Sequence, residues 1–466
     1  MGCPGASRAA AIYRPRRPRA LPLHRLLDGY FRKFEQVYDE RYQNRYGFWR
    51  PVISGTVEKL LACGDLREGV ARVRCPRCRY EFFVAFSCRR RCLCPSCHQK
   101  RALVMAEHIA GDLCAPVAHR QFVFTIPKRL RIFFRFDRRL LGELPRLAWQ
   151  TVLEVYRVVL DRRDVTPGMI GAIHTFGELL HFHPHLHALV TDGVFTPDGS
   201  FIALPALDDE PFEKLWQKKV FDLLLKRGKI SEAVVTQMRG WTHSGFAVHH
   251  AVRLDADDRA GRERLAHYML RCPLGLERMI RVTGQGTVIY RAEKKACRPF
   301  PKPASPDLFG GVRRNFQVFD PLDFIAELTQ HIPEPRTHLV RYFGWYSNKS
   351  RGMRAKTAGD PPREQHATRS PSAGAARRRW AALIKRVWQV DPLRCPHCGS
   401  TMKIVSFIEP TQPDVIQKIL AHCGLADEPP RAPPNAPPPE IRELRYVTDL
   451  DFVQDPGPDE PVWSAD

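Results

Sequence analysis

The chain has 466 residues, 44% hydrophobic and 10% aromatic, with 73 Lys and Arg against 50 Asp and Glu for a net charge of +23. That length exceeds one compact core and suggests roughly three units. The cations, spread over "YRPRRPR", "KRLRIFFRFDRR" and "RRRW", set up a broad positive field that attracts polyanions, nucleic acid above all. No run of about 20 apolar residues exists to span a membrane, and the N-terminus lacks the apolar segment of a secretory signal.

Taken in order, residues 1–60 read as a basic segment that turns helical, because "PLHRLLDGYFRKFEQVYDERY" repeats apolar residues at helical spacing. Residues 61–110 hold half of the cysteines, six of them between Cys75 and Cys97. From 111 to 300 strand and helix patterns alternate. "HRQFVFTIP" is a strand ended by Pro127, and a helix is expected over 138–162 despite Pro145. "GAIHTFGELLHFHPHLHALVTDGVF" reads as strand, turn and strand, followed by an amphipathic helix in "FEKLWQKKVFDLLLKRG". "GFAVHHAVRL" is a strand, "GRERLAHYMLRCP" a helix stopped by Pro273, and "GTVIYRA" a further strand. This order predicts an α+β domain around one sheet. Residues 301–350 form an accessory part of that domain, 351–378 have the composition of a basic linker, and 379–425 form a small region around "CPHC". In 426–466 the prolines exclude regular structure and predict a disordered, acidic tail.

Fourteen cysteines in a chain without an export signal point to metal rather than disulfides. Cys75, Cys78, Cys94 and Cys97 form C-x2-C-x15-C-x2-C, the spacing of a zinc ribbon. Two knuckles close a tetrahedron around one Zn2+ with no open position, which defines a structural site. Cys63, Cys88 and Cys92 lie nearby, and Cys88 is an alternative ligand. Cys395 and Cys398 are half of a second such site. His422 and Cys423 are available to complete it, and the competing reading is an unmetallated turn.

His181, His183, His185 and His187 alternate along a strand and share one face, with Phe182, Leu186 and Ala188 opposite. Neighbouring members stand about 6.6 Å apart along the backbone, close enough to converge on one ion. Pro184 removes a ladder donor, so regular pairing is expected after it. That favours His185 and His187 as metal ligands, with His183 or Glu178 as the third. Two neutral imidazoles leave an ion open and Lewis-acidic.

These motifs, in this order, resemble the rolling-circle transposases of the IS91 type, members of the HUH endonuclease superfamily. "HPHLHALVTDGVF" is similar to their histidine–hydrophobic–histidine motif, with His185, Leu186 and His187 as its core, and "CPRC…SCRRRCLCPSCHQKR" is similar to their N-terminal zinc module. "FVFTIPKRLR", "FDPLDFIAELTQHIPEPRTHLVRYFGWYSN" and "CPHCG" extend the resemblance over about residues 12–425. It implies an HUH-nuclease-like antiparallel sheet with helices over 111–300, preceded by a zinc-binding DNA-recognition module and followed by a helical, CxxC-bearing C-terminal region. It implies Mg2+ or Mn2+ at the histidines and Tyr268 as the nucleophile, giving a 5′-phosphotyrosine and a free 3′-hydroxyl. By its residues alone, Tyr268 on a helix reads as a core side chain. Arg264, one turn earlier, stands where two-tyrosine members carry their second tyrosine; the chain therefore resembles the single-tyrosine subgroup, with Arg264 assisting Tyr268.

The expected partner is single-stranded DNA at element ends, gripped by Lys128, Arg129, Arg131 and Arg135, since "RIFFRFDRR" and "RYFGWYSNKSRGMR" interleave rings with cations. The expected location is the bacterial cytoplasm, at the nucleoid when acting. The alternative is a zinc-ribbon DNA-binding protein whose nuclease site has degenerated. A metal hydrolase of small substrates fits poorly with the positive charge.

Overall fold

The computed structural model describes residues 18–242, 244–284, 286–292, 298–300, 312–357 and 391–425. The chain is an α+β fold of antiparallel sheets and helices. Its largest sheet has the order Val340–Gly344, Gly168–Phe176, Phe182–Thr191, His119–Thr125, Ala247–His249, with the short strand Arg253–Leu254 also pairing with His119–Thr125. The histidine strand, Phe182–Thr191, is thus central, with a partner on each side.

Side chains alternate across a strand, and here both faces are covered. Phe122, Phe124, Leu186, Ala188 and Val190 point to the back of the sheet. They pack against the helices Leu144–Val159 and Glu210–Lys226, where Trp216 is fully buried and its indole N–H donates to the Thr125 carbonyl at 2.8 Å. The front face presents Ile170, Ala172 and Leu189 to Leu265, Ala266 and Met269 of the tyrosine helix, Arg259–Met269, and to Ala106 and Ile109 at the end of the helix Pro95–His108. The zinc module therefore packs on the same side of the sheet as Tyr268.

Several expectations shift in detail. The helix expected over 138–162 divides into a 3-10 segment, Arg138–Gly142, and an α-helix, Leu144–Val159. Pro145 sits in its first turn, where no backbone N–H is needed. Pro184 lies inside the histidine strand, at an irregularity: regular pairing with both neighbours starts at His185, and the register slips between His174 and Phe176. Residues 348–357, mostly within the expected linker, form the helix Asn348–Thr357. The rest of that linker, residues 1–17 and the proline-rich tail lie outside the described residues.

Segments far apart in sequence share cores. The N-terminal helix Pro22–Gln36 packs with the helix Pro321–Thr329, and Tyr46 and Arg45 both donate to Glu327 at 2.8 Å. Strand Lys403–Ile408 adds to the ribbon Val70–Arg74 and Glu81–Ala85, giving the order Lys403–Ile408, Val70–Arg74, Glu81–Ala85. The CxxC region is thus part of the zinc module's sheet rather than a separate unit. No helix among the described residues is long and apolar enough to cross a membrane.

Trp216 joins the rear helices to the sheet. Trp216→Ala is expected to lower stability by about 3–5 kcal/mol, the usual loss for a buried aromatic truncation, seen as a lower urea midpoint at constant zinc content.

Candidate active site

Pairing, rather than sequence proximity, builds the histidine cluster. His174 lies directly across from His185 in the antiparallel ladder, so both side chains leave the front face together. The ligand nitrogens of His174, His185 and His187 all lie within 4.8 Å of one another. The three residues are 3%, 8% and 1% exposed.

Each imidazole is oriented by its second nitrogen. His185 Nδ1–H donates to the His183 carbonyl at 2.8 Å, leaving Nε2 free to bind, 3.2 Å from Nε2 of His187. His174 Nε2–H donates to the Met269 carbonyl at 2.6 Å, while its Nδ1 is buried with no hydrogen-bond partner. The side-chain amide of Gln121 lies 3.2 Å from His187 Nδ1. Its NH2 donates to Nδ1, which puts the His187 proton on Nε2, toward His185 Nε2; metal binding through His187 Nε2 requires the proton on Nδ1, which the same amide accepts once its carbonyl is turned inward. Burial holds His174 and His187 well below the ordinary imidazole range and lowers His185 to about 4, with Arg271 and Arg131 adding to the depression at His185. All three are therefore neutral ligands at neutral pH. The convergent nitrogens and the orphaned Nδ1 of His174 fit a divalent ion.

The third imidazole thus comes from the neighbouring strand and not from the two expected positions. His183 packs toward His181 and His185, with ring centroids 5.8 and 4.9 Å away, and its Nε2 is buried without a partner. It is not among the converging nitrogens. Glu178 lies in the turn between the two strands and engages Arg278 through its carbonyl and its carboxylate, the latter at 3.4 Å. The reason is geometric: cross-strand partners sit about 4.5–5.5 Å apart, whereas alternate residues along one strand are about 6.6 Å apart.

Tyr268 meets this cluster. Its ring stands edge-on to His187, with centroids 5.4 Å apart, and the guanidinium of Arg271 lies 4.5 Å from its centroid. Arg264 is exposed one turn earlier, and the guanidinium that lies against the ring is that of Arg271, three residues after Tyr268. The helix is started by the Asp258 side chain, which accepts from the Gly261 N–H. Its far end is held by two imidazoles, His174 on Met269 and His98 on the Leu270 carbonyl at 2.7 Å. His98 Nδ1 accepts from the Cys92 N–H at 2.9 Å, which fixes the proton on Nε2. Helix ends leave carbonyls unsatisfied, and here the large sheet and the zinc module each supply a donor.

The cysteines sort into two groups, Cys63, Cys88, Cys94 and Cys97, and Cys75, Cys78, Cys395 and Cys398. The expected set Cys75, Cys78, Cys94 and Cys97 is therefore divided between two sites, and Cys88 belongs with Cys94 and Cys97. Neither Cys423, whose thiol faces Glu81 at 3.9 Å, nor His422 completes the C-terminal knuckle. Sulfur pairs stand 3.8 Å apart for Cys63 and Cys97, 3.6 Å for Cys88 and Cys97, and 3.5 Å for both Cys75–Cys398 and Cys78–Cys395. A tetrahedron of Zn–S bonds near 2.3 Å has edges of about 3.8 Å, so both groups have the dimensions of a structural zinc site. The Cys78 N–H and the Ser400 hydroxyl lower the Cys75 thiol to about 6.

The expected DNA contacts separate into two kinds. Lys128 and Arg129 are exposed. Arg131 donates to the Ile126 carbonyl, and Arg135 donates to the Arg45 carbonyl and lies over the rings of Tyr46 and Phe182, so both serve the interior. The rings of "RYFGWYSN" are packed too: Trp345 stacks on Phe195 at 4.1 Å and Tyr346 is buried.

The large sheet thus carries converging imidazoles beside a helical tyrosine, with two zinc-dimensioned cysteine clusters. Comparison with known proteins gives the class: transposases. The family model described as "Putative transposase" matches residues 168–353, and the one described as "Transposase zinc-binding domain", of the IS91 type, matches residues 33–126. The transposase for insertion sequence element IS801 of Pseudomonas savastanoi pv. phaseolicola is 26% identical over 372 residues, covering 76% of this chain and 84% of the relative. A protein of Sinorhizobium fredii (strain NBRC 101917 / NGR234), y4qJ, which carries the same description as the first family model, is 27% identical over 175 residues, 36% of this chain and 41% of the relative. No solved structure matches. The chain belongs to the IS91-type transposases.

Two outcomes follow from the geometry. Purified protein is expected to carry two zinc ions per chain, and Cys395→Ser combined with Cys398→Ser is expected to lower this to one by metal analysis. In the metal-free protein, His185 takes a proton near pH 4 when folded and near 6.5 when unfolded. The unfolded chain therefore protonates first, so this site's stability is complete above about pH 6.5 and falls by roughly 1.4 kcal/mol per pH unit below it. Urea midpoints at pH 7 and pH 5 measure the loss, which should shrink in His185→Asn.

Proposed function

We propose that this transposase cleaves and rejoins single-stranded DNA through Tyr268, with a divalent ion, Mg2+ or Mn2+, held by His174, His185 and His187. The observation that carries the reading is the meeting of three neutral, buried imidazoles, one with an orphaned Nδ1, against the ring of a helical tyrosine. When bound, the ion supplies Lewis-acid polarisation of the scissile phosphoryl group.

The remaining chemistry belongs to the chain. Tyr268 Oη bonds to phosphorus as the bond to the 3′ oxygen breaks. The phenolic proton is lost and the departing oxygen gains one, so a 5′-phosphotyrosine and a 3′-hydroxyl result. The phosphodiester is exchanged rather than hydrolysed, so rejoining needs a 3′-hydroxyl and no nucleotide energy source. Arg271, stacked on the ring, lowers the cost of the phenolate, whose parent phenol has a pKa near 10. The hydrogen bond from His174 to Met269 fixes the helix end that carries Tyr268. Tyr268 is the sole tyrosine of its helix, so one nucleophile serves both cleavage and joining.

Labelled single-stranded DNA containing element ends, incubated with Mn2+, is expected to yield a denaturation-resistant protein adduct that Tyr268→Phe abolishes. His174→Ala should prevent it at low metal concentration, and Gln121→Leu should weaken metal binding by roughly 10- to 100-fold, as loss of an outer-shell partner does. DNA binding without an adduct under any metal would support a zinc-ribbon binding protein with a degenerate site. An adduct persisting in Tyr268→Phe would place the nucleophile elsewhere.

A further inference from the structure

A cavity of about 200 Å3 lies against His174 of the histidine cluster. It is closed by the zinc module's helix, by strand Gly168–Phe176, by the turn after Tyr268 and by the segment 330–342. His174 and Arg271 are on its wall, so it borders the place where Tyr268 meets the imidazoles. A cavity of this volume admits one flat ring system and excludes a duplex.

The lining divides into two chemistries. Met105, Phe176, Leu270, Leu339 and Tyr342 give an apolar slot with flat rings. Around it stand five arginines against one carboxylate, Glu334. Arg50 is occupied by Glu334 and the carbonyls of Thr329 and Ile332, and Arg138 by Gln330. Arg91 uses one nitrogen on the Thr337 carbonyl at 3.0 Å. Arg101 makes no hydrogen bond or ion pair with the described residues. Two guanidiniums, those of Arg91 and Arg101, thus share a wall without an acidic partner among the described residues. An anion joined to a flat apolar body satisfies both halves of the site.

We propose that this cavity receives one unstacked nucleotide of the DNA strand next to the scissile phosphate, its base in the apolar slot and its phosphate at Arg91 and Arg101. The inference rests on the reading of Tyr268 and the histidines as the cleavage centre. It gives the zinc module a direct part in that centre, since Arg91 and Arg101 flank the Cys94–Cys97 knuckle. It also accounts for a single-strand requirement. A base held in a stacked pair cannot enter a walled pocket without leaving its partner.

The test uses the full zinc-loaded chain as Tyr268→Phe, so that binding is measured without cleavage. The probes are fluorescent single strands of the element ends with one abasic site moved stepwise along them. Anisotropy should find one position where the missing base weakens binding by on the order of tenfold, the usual worth of one stacked base. Thr337→Trp, which places a ring at the mouth without touching a core residue, should bring the intact strand to the abasic affinity and leave duplex binding unchanged. Arg101→Ala should reduce the salt slope by about 0.7, one single-strand phosphate contact. Unchanged zinc content confirms that each variant is folded. A flat abasic scan, or Thr337→Trp binding the intact strand normally, overturns the pocket. A positive scan in a chain whose wild type forms no adduct overturns the nucleophile and leaves the pocket standing.

Discussion

The register between two strands governs this molecule. Because His174 faces His185 across the ladder, the imidazole that completes the cluster and the donor that fixes the tyrosine helix are the same ring. A slip of one residue would turn His174 into the rear core and bring Ile173 forward, since side chains alternate. It would remove a ligand nitrogen and the hydrogen bond to Met269 together. The rear face guards against it: Phe122, Phe124, Leu186 and Ala188 are buried against two helices, and a slip would expose them.

The zinc module stabilises the same arrangement from the other side. Its helix packs on the front face through Ala106 and Ile109. His98, next to Cys97 in the chain, holds the Leu270 carbonyl. The tyrosine helix thus ends in a clamp with one jaw from the sheet and one from a cysteine-anchored helix. The zinc-binding module therefore also sets the position of the helix that carries Tyr268. The carbonyls involved are ones that any helix leaves unpaired, so the clamp satisfies two groups that would otherwise lack a donor.

The two cysteine clusters impose a different constraint. One joins Cys63 to a hairpin and helix within 34 residues, whereas the other joins Cys75 to Cys398, 323 residues later. Closing so long a loop costs entropy that grows slowly with length, and the ladder between Val70–Arg74 and Lys403–Ile408 shares that cost with the sulfur contacts. The C-terminal region is thereby held to the N-terminal ribbon.

The sequence alone established what each segment can do locally. Alternation in "HFHPHLHALV" put His185 and His187 on one face with Leu186 and Ala188 behind, the knuckles CPRC, CPSC and CPHC marked metal, and Pro184 marked where pairing is irregular. The tertiary structure decided which of these pieces meet. Two residues between cysteines specify half a tetrahedron but not the other half, so Cys75 and Cys78 found Cys395 and Cys398 while Cys94 and Cys97 found Cys63 and Cys88. His174 sat unmarked in the apolar strand "GMIGAIHTF", its only signal being a lone imidazole in phase with the front face. Arg271 lay beyond the helix end. Spacing along a chain fixes short-range geometry, whereas partners across strands are chosen by register and by burial summed over the whole sheet.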